Sequence, residues 1–150
     1  MKPSVKVMLW ATGSLACLAG LAFGYEGTFS LSGENMCANE RIATYPSPDG
    51  RMAVVVFERD CGATTDFSTQ ASLLPASEAG NGAPAEGDGN LFVADSDHGA
   101  APPGKGGGPE LRVTWIDNRQ LVLSHHRSAR VFSASRELSG VHIRYGTFDN

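Results

Sequence analysis

From residue 42 onward, apolar positions fall in short runs separated by turn-forming residues, and helical spacing is almost absent. Arg51–Asp60 holds Ala-Val-Val-Val-Phe at its centre, β-branched and aromatic residues without polar alternation, which predicts a strand buried on both faces. Before it, Asn35 to Thr44 reads as one short helical turn leading into a strand at Ile42–Tyr45, and Tyr45-Pro-Ser-Pro-Asp-Gly50 is a dense turn signal. Cys61-Gly62-Ala63 turns the chain. Phe67, Thr69, Ala71 and Leu73 then alternate with Ser68, Gln70, Ser72 and Leu74, as in a half-buried hairpin partner of the preceding strand.

The pattern returns after a long interruption. Leu91–Asp95 is a short strand, and Leu111–Ile116 places Leu111, Val113 and Trp115 on one face. Asp117-Asn118 makes a turn into Gln120–His125. Ala129–Leu138 reads as one strand, Ser139-Gly140 as a two-residue turn, and Val141–Phe148 closes with Val141, Ile143 and Tyr145 on one face. Seven or eight strands at hairpin spacing predict a mainly β fold: a single antiparallel meander, sandwich-like or a partly closed barrel. The interruption, Pro75 to Glu110, holds nine Gly and five Pro. That composition predicts flexible Gly/Pro-rich loops at 75–90 and 96–110.

The first 25 residues follow another rule. Lys2 and Lys6 precede an uncharged, mostly apolar run from Val7 to Tyr25, and the first acid is Glu26. This layout predicts an N-terminal hydrophobic helix at 1–25, serving as a signal peptide or a membrane anchor, ahead of a β domain at 26–150. Ala22-Phe23-Gly24 offers small residues three and one before a cut ahead of Tyr25. Ala16-Cys17 satisfies half of a lipidation signal, with Ser14 standing where Leu is wanted. In either case the two lysines predict a cytoplasmic N-terminus and an exported domain of the cell envelope, membrane-anchored, periplasmic or secreted.

Beyond that segment 10 basic residues face 16 acidic ones, a net charge of −6. Such a surface repels phosphate backbones, and there is no basic stripe, so nucleic acid is not an expected partner. Expected partners are the membrane, through the N-terminal segment, and a protein of the envelope.

The compartment governs how the cysteines read. Cys37 and Cys61 are the two outside the export segment, and in an oxidising environment they are expected to form a disulfide. The sharper alternative makes Cys61 a nucleophile with His98, His125 or His126 as base, but no spacing pairs them. Asp95-Ser-Asp-His98-Gly99 is the densest cluster of cation ligands, with Asp95, Asp97 and His98 as weak metal candidates. It lacks the oxygen donors of a calcium loop and the third and fourth ligands of a zinc site, and its plainer reading is a solvated turn. The adjacent His125 and His126 point to opposite faces of a strand and cannot chelate one ion together. Gly104-Lys-Gly-Gly-Gly108 has neither the spacing nor the Ser or Thr of a phosphate loop and reads as a linker. Cys61-Gly-Ala-Thr-Thr65 reads as a threonine-capped turn, its anion-binding alternative resting on backbone N–H groups. No cofactor is implied.

Pro46-Ser-Pro-Asp-Gly50, Val56–Thr65, Phe67-Ser-Thr-Gln70, Asn90–Asp95 and Asp97-His-Gly99 together resemble a family of small bacterial proteins with an N-terminal signal or lipoprotein segment. The resemblance spans roughly residues 35–145, and Asp60-Cys-Gly-Ala-Thr-Thr65 is its most specific string. It implies a compartment and an architecture rather than a reaction.

Two functional classes follow. The first is a non-enzymatic, disulfide-tied binding domain using loops 75–90 and 96–110. The second is a small metal- or thiol-dependent hydrolase built on Asp95, Asp97 and His98, with Cys61 or His125. An obligate subunit of a larger assembly would differ from both in exposing an edge strand or an apolar patch.

Overall fold

Val54, Val55, Val56 and Phe57 are all fully or nearly fully buried, because the strand that carries them is covered on both faces. This is β2 (Met52–Asp60) of a computed structural model that describes residues 37–62, 65–80, 82–84 and 87–149. The expectations for residues 1–25, including Cys17, lie outside the described residues. Among the described residues no helix is long and apolar enough to cross a membrane.

The remaining elements are β1 (Ala38–Pro46), β3 (Ser68–Pro75), α1 (Ala76–Ala79), β4 (Phe92–Asp95), β5 (Leu111–Asp117), β6 (Gln120–His126), β7 (Arg130–Ala134), β8 (Glu137–Leu138) and β9 (Val141–Phe148). They form two sheets, one ordered β1-β2-β3-β4-β7 and the other β5-β6-β9-β8. The fold is mainly β and sandwich-like, and no barrel closes. Val54, Val56, Ala71, Leu73, Phe92 and Ala94 of the first sheet share one core with Leu111, Leu121, Leu123, Val141 and Ile143 of the second. Alternation places these on the inward faces.

Several expectations are corrected by long-range contacts. All of Ala38–Thr44 is strand, with no helical turn in the described part of 35–44. β3 is buried on both faces rather than half-buried, because Gln70 and Ser72 are covered by the chain at 89–90. Gly89 N–H donates to Gln70 Oε1 at 2.6 Å and Asn90 N–H to Ser72 Oγ at 3.3 Å. The turn after β5 is Asn118-Arg119, one residue later than expected, since Asp117 pairs with Gln120.

The stretch 129–138 is two strands in different sheets. The chain turns a corner at Ser135-Arg136, where Ser135 N–H donates to Leu91 O (3.0 Å) and Ile143 N–H to Arg136 O (2.9 Å). That excursion through the first sheet returns β9 alongside β6 in the same direction, so one pairing is parallel and the meander is not simple.

The glycine-rich stretch 96–110 is packed rather than a loose linker. Pro103 bridges Pro109, Gly104 N–H donates to Gly108 O at 2.7 Å, and Thr69 Oγ1 donates to Pro109 O at 2.7 Å. Within 75–90, α1 lays Ala79 over Ala53, Val55 and Phe57. Among the described residues this segment leaves one half of the first sheet's outer face, toward β4 and β7, open.

Candidate functional site

The open half carries side chains projected outward by alternation from β2, β3, β4 and β7: Arg59, Ser68, Gln70, Val93, Asp95 and Arg130. With Cys61, Thr65, Asp66 and His98 they line a groove of about 430 Å³.

At its centre is an ion pair set by strand register. Asp95 ends β4 directly opposite Arg130 of β7. Arg130 Nε lies 3.1 Å from Oδ1 and Nη2 2.5 Å from Oδ2, a two-pronged contact. Burial alone would raise the Asp95 pKa. The Arg130 hydrogen bonds and charge, with the Asp97 N–H, outweigh it and hold the carboxyl below the usual range. Arg130 in turn is held more firmly protonated by Asp95.

The following turn is strained. Asp97, His98 and Gly99 have φ of 50°, 56° and 88°, one turn of left-handed backbone that L-residues seldom adopt in succession. Asp97 N–H donates to Asp95 Oδ1 (2.9 Å), His98 N–H to Asp66 Oδ2 (3.0 Å) and Gly99 N–H to Ser96 Oγ (3.2 Å), which holds the chain there. The turn brings Asp97 to 3.5 Å from Arg130 Nη1 and the His98 ring to 3.6 Å from Asp66.

A β-bulge completes the groove. Val93 faces Ser133 while Ala94 faces Val131, so Phe132 is the extra residue on β7. The bulge turns its ring outward beside Arg130, whose guanidinium carbon is 5.1 Å from the ring centre. Phe132 is 61% exposed, the most exposed large apolar side chain among the described residues. On the far side Arg59 is held by Asp88 (3.2 Å), Asn39 Oδ1 (2.9 Å) and Gly87 O (3.0 Å). With Asp88 on Arg59 and both Asp95 and Asp97 on Arg130, carboxylates outnumber guanidiniums here, and Asp66 and Asp97 form an acidic rim.

The candidate catalytic groups do not assemble. Cys61 is bonded to Cys37 (S–S 2.09 Å), which ties the start of β1 to the end of β2 and consumes the thiol. His125 lies between the sheets, its ring 5.5 Å from the inward-facing Phe92, on the other side of the sheet from His98. His126 is buried with Nδ1 accepting from Ser128 N–H at 3.1 Å. Among the described residues no three of His, Cys, Asp and Glu converge as a metal site, and both Asp95 oxygens are directed at Arg130.

Asp95 and His98 do line the groove, and Asp97 reaches its Arg130, as their adjacency in sequence suggested. Arg130, Phe132 and Asp66 were not singled out by the sequence. An unexplained aromatic in a polar strand end, Arg-Val-Phe-Ser, is the one signal that points to Phe132. No family model, curated protein or solved structure matches the chain.

Proposed function

We propose that this chain is an exported or membrane-anchored cell-envelope protein of bacteria whose β-sandwich binds a protein partner through the open half of the first sheet, without catalysing a reaction. The observation that carries the reading is Phe132. A bulge turns this ring into solvent beside an ion pair, inside an acidic rim, on a part of the sheet face that, among the described residues, α1 and its flanking chain leave uncovered. Exposed aromatics in rigid, partly polar surroundings are characteristic of binding sites. The Cys37–Cys61 disulfide favours an oxidising compartment, and the charge pattern of residues 1–25 and the resemblance to bacterial exported proteins point the same way.

The hydrolase alternative has less support, because its thiol is oxidised and its carboxylate is committed to Arg130. The test is a photo-crosslinking amino acid placed at Phe132 in the full chain in cells, with Ser77 on α1 as the control position. A discrete protein adduct at Phe132 and none at Ser77 is expected. Equal labelling at both, or none at Phe132, refutes the reading.

A further inference from the structure

Charge is divided unevenly between the two sheets. Residues 37–110 together with β7 carry 5 Lys and Arg against 11 Asp and Glu, whereas residues 111–129 and 135–150 carry 5 against 3. The first group supplies β1 to β4, β7 and the acidic rim around Phe132. The second supplies β5, β6, β8 and β9, the whole of the other sheet.

The outer face of that sheet has a shallow hollow of about 680 Å³ lined by Asp117, Asn118, Arg119, Gln120, His142 and Arg144. Arg119 and Arg144 have no carboxylate within ion-pair distance among the described residues. The acids nearby are already engaged. Asp117 accepts from Arg119 N–H (2.8 Å) and from Gln120 Nε2 (2.9 Å), while Glu137 lies 3.7 Å from the His142 ring.

A bulge between Trp115 and Asp117 makes Ile116 the extra residue of β5, and it is 53% exposed. Trp115 turns inward to donate its indole N–H to Tyr45 O at 3.0 Å. Each bulge therefore exposes one apolar residue, with carboxylates in excess of guanidiniums beside Phe132 and, among the described residues, two guanidiniums without a carboxylate partner in the hollow that begins at Asp117, next in sequence to Ile116. Faces of opposite sign with apolar centres are complementary in the sense that steers and registers protein association.

We propose that the partner of the Phe132 face is a second copy of this chain, which docks the outer face of its β5-β6-β9-β8 sheet there, Arg119 and Arg144 meeting Asp66 and Asp97. This rests on the reading of the Phe132 face as the binding face. Because the two surfaces differ and lie on opposite sides of one sandwich, the contact is head-to-tail. It propagates into a row of copies unless the rotation between them closes a ring.

The test is sedimentation velocity of the full-length chain as salt is raised from about 20 to 500 mM, a range over which exposed charges become strongly screened. Association at low salt that disappears at high salt is expected. Phe132→Lys or Arg144→Asp, both exposed positions, each weaken it at least about tenfold, the scale on which like-charge juxtaposition acts. Mixing the two variants restores pairwise association, because the intact Arg119/Arg144 face of the Phe132 variant meets the intact Phe132 face of the Arg144 variant. A chain that stays monomeric at low salt overturns the proposal. So does association that either variant leaves unchanged, or a mixture that is not restored, as in pairing of like faces. A monomeric chain that nevertheless crosslinks to a different protein at Phe132 overturns the self-association alone and leaves the binding face in place.

Discussion

Replacing Gly108 by alanine tests whether the glycine-rich stretch 104–108 is a linker or a packed element. A Cβ at this position would stand 2.6 Å from Thr69 Oγ1, 2.7 Å from Thr69 N and 3.0 Å from Ser68 C. Two of these atoms are β3 backbone and cannot swing aside. The Thr69 hydroxyl can move only by giving up its 2.7 Å hydrogen bond to Pro109 O, which is buried. Overpacking of this kind costs about 1–3 kcal/mol, and a lost buried hydrogen bond adds about 1 kcal/mol. The expected destabilisation is therefore about 2–4 kcal/mol, or about 1–2 M in the urea midpoint at unchanged slope.

Two other glycines calibrate the reasoning. Gly106→Ala meets the far ends of Glu58 and Ile42, which can rotate, and costs less than Gly108→Ala. Gly80 has φ −72° and ψ −24°, with nothing within 4 Å of its added Cβ. Gly80→Ala is expected to stabilise by about 0.4–1 kcal/mol through the unfolded chain. Urea unfolding of the full chain, followed by tryptophan fluorescence, gives all three values. If Gly108→Ala unfolds within about 0.5 kcal/mol of the unaltered protein, the stretch is not packed on β3 and the linker reading returns.

Three further outcomes follow from the same structure. The double variant Cys37→Ser/Cys61→Ser, or reduction of the unaltered chain, is expected to lose roughly 3 kcal/mol on the chain-entropy account, and labelling of Cys37 or Cys61, as distinct from Cys17, before reduction would contradict it. Asp95 has its folded pKa lowered, so its contribution to stability is complete above the unfolded value near about 4 and is lost as pH falls through the folded one. Arg130→Met leaves burial to dominate at Asp95, and the rise of stability from about pH 2 to 5 becomes shallower than in the unaltered chain; parallel curves would sink the assignment. Tyr145 is pushed by burial up to about 12, with its hydroxyl donating to Ser135 O at 2.8 Å. That contribution holds below the ordinary value of 10.0 and is lost as pH rises toward the folded one, and Tyr145→Phe, costing about 1 kcal/mol, removes the late step of an ultraviolet titration.

The β class, the turns at Pro46–Gly50 and Ser139-Gly140 and the double burial of β2 are legible in the chain itself, because they depend on neighbours within a few residues. Val54, Val55, Val56 and Phe57 announce a central strand whatever lies around them, and Pro46-Ser-Pro-Asp-Gly50 reverses the chain with Gly50 at φ +67°. The acidic–histidine turn was visible as a cluster for the same reason.

Its chemistry was not, since Asp95 and Arg130 are 35 residues apart and meet only because β7 pairs with β4. Local alternation says which side chains share a face. It does not say which strand lies alongside, and so the change of sheet at Ser135-Arg136 and the parallel β6–β9 pairing lay beyond it. Gln70 and Ser72 looked solvated because polar residues are buried only when distant backbone arrives to satisfy them, as it does at Gly89 and Asn90. Glycine is ambiguous in the same way: one residue serves both chain freedom and close approach, and only the atoms of Thr69 beside Gly108 decide between them.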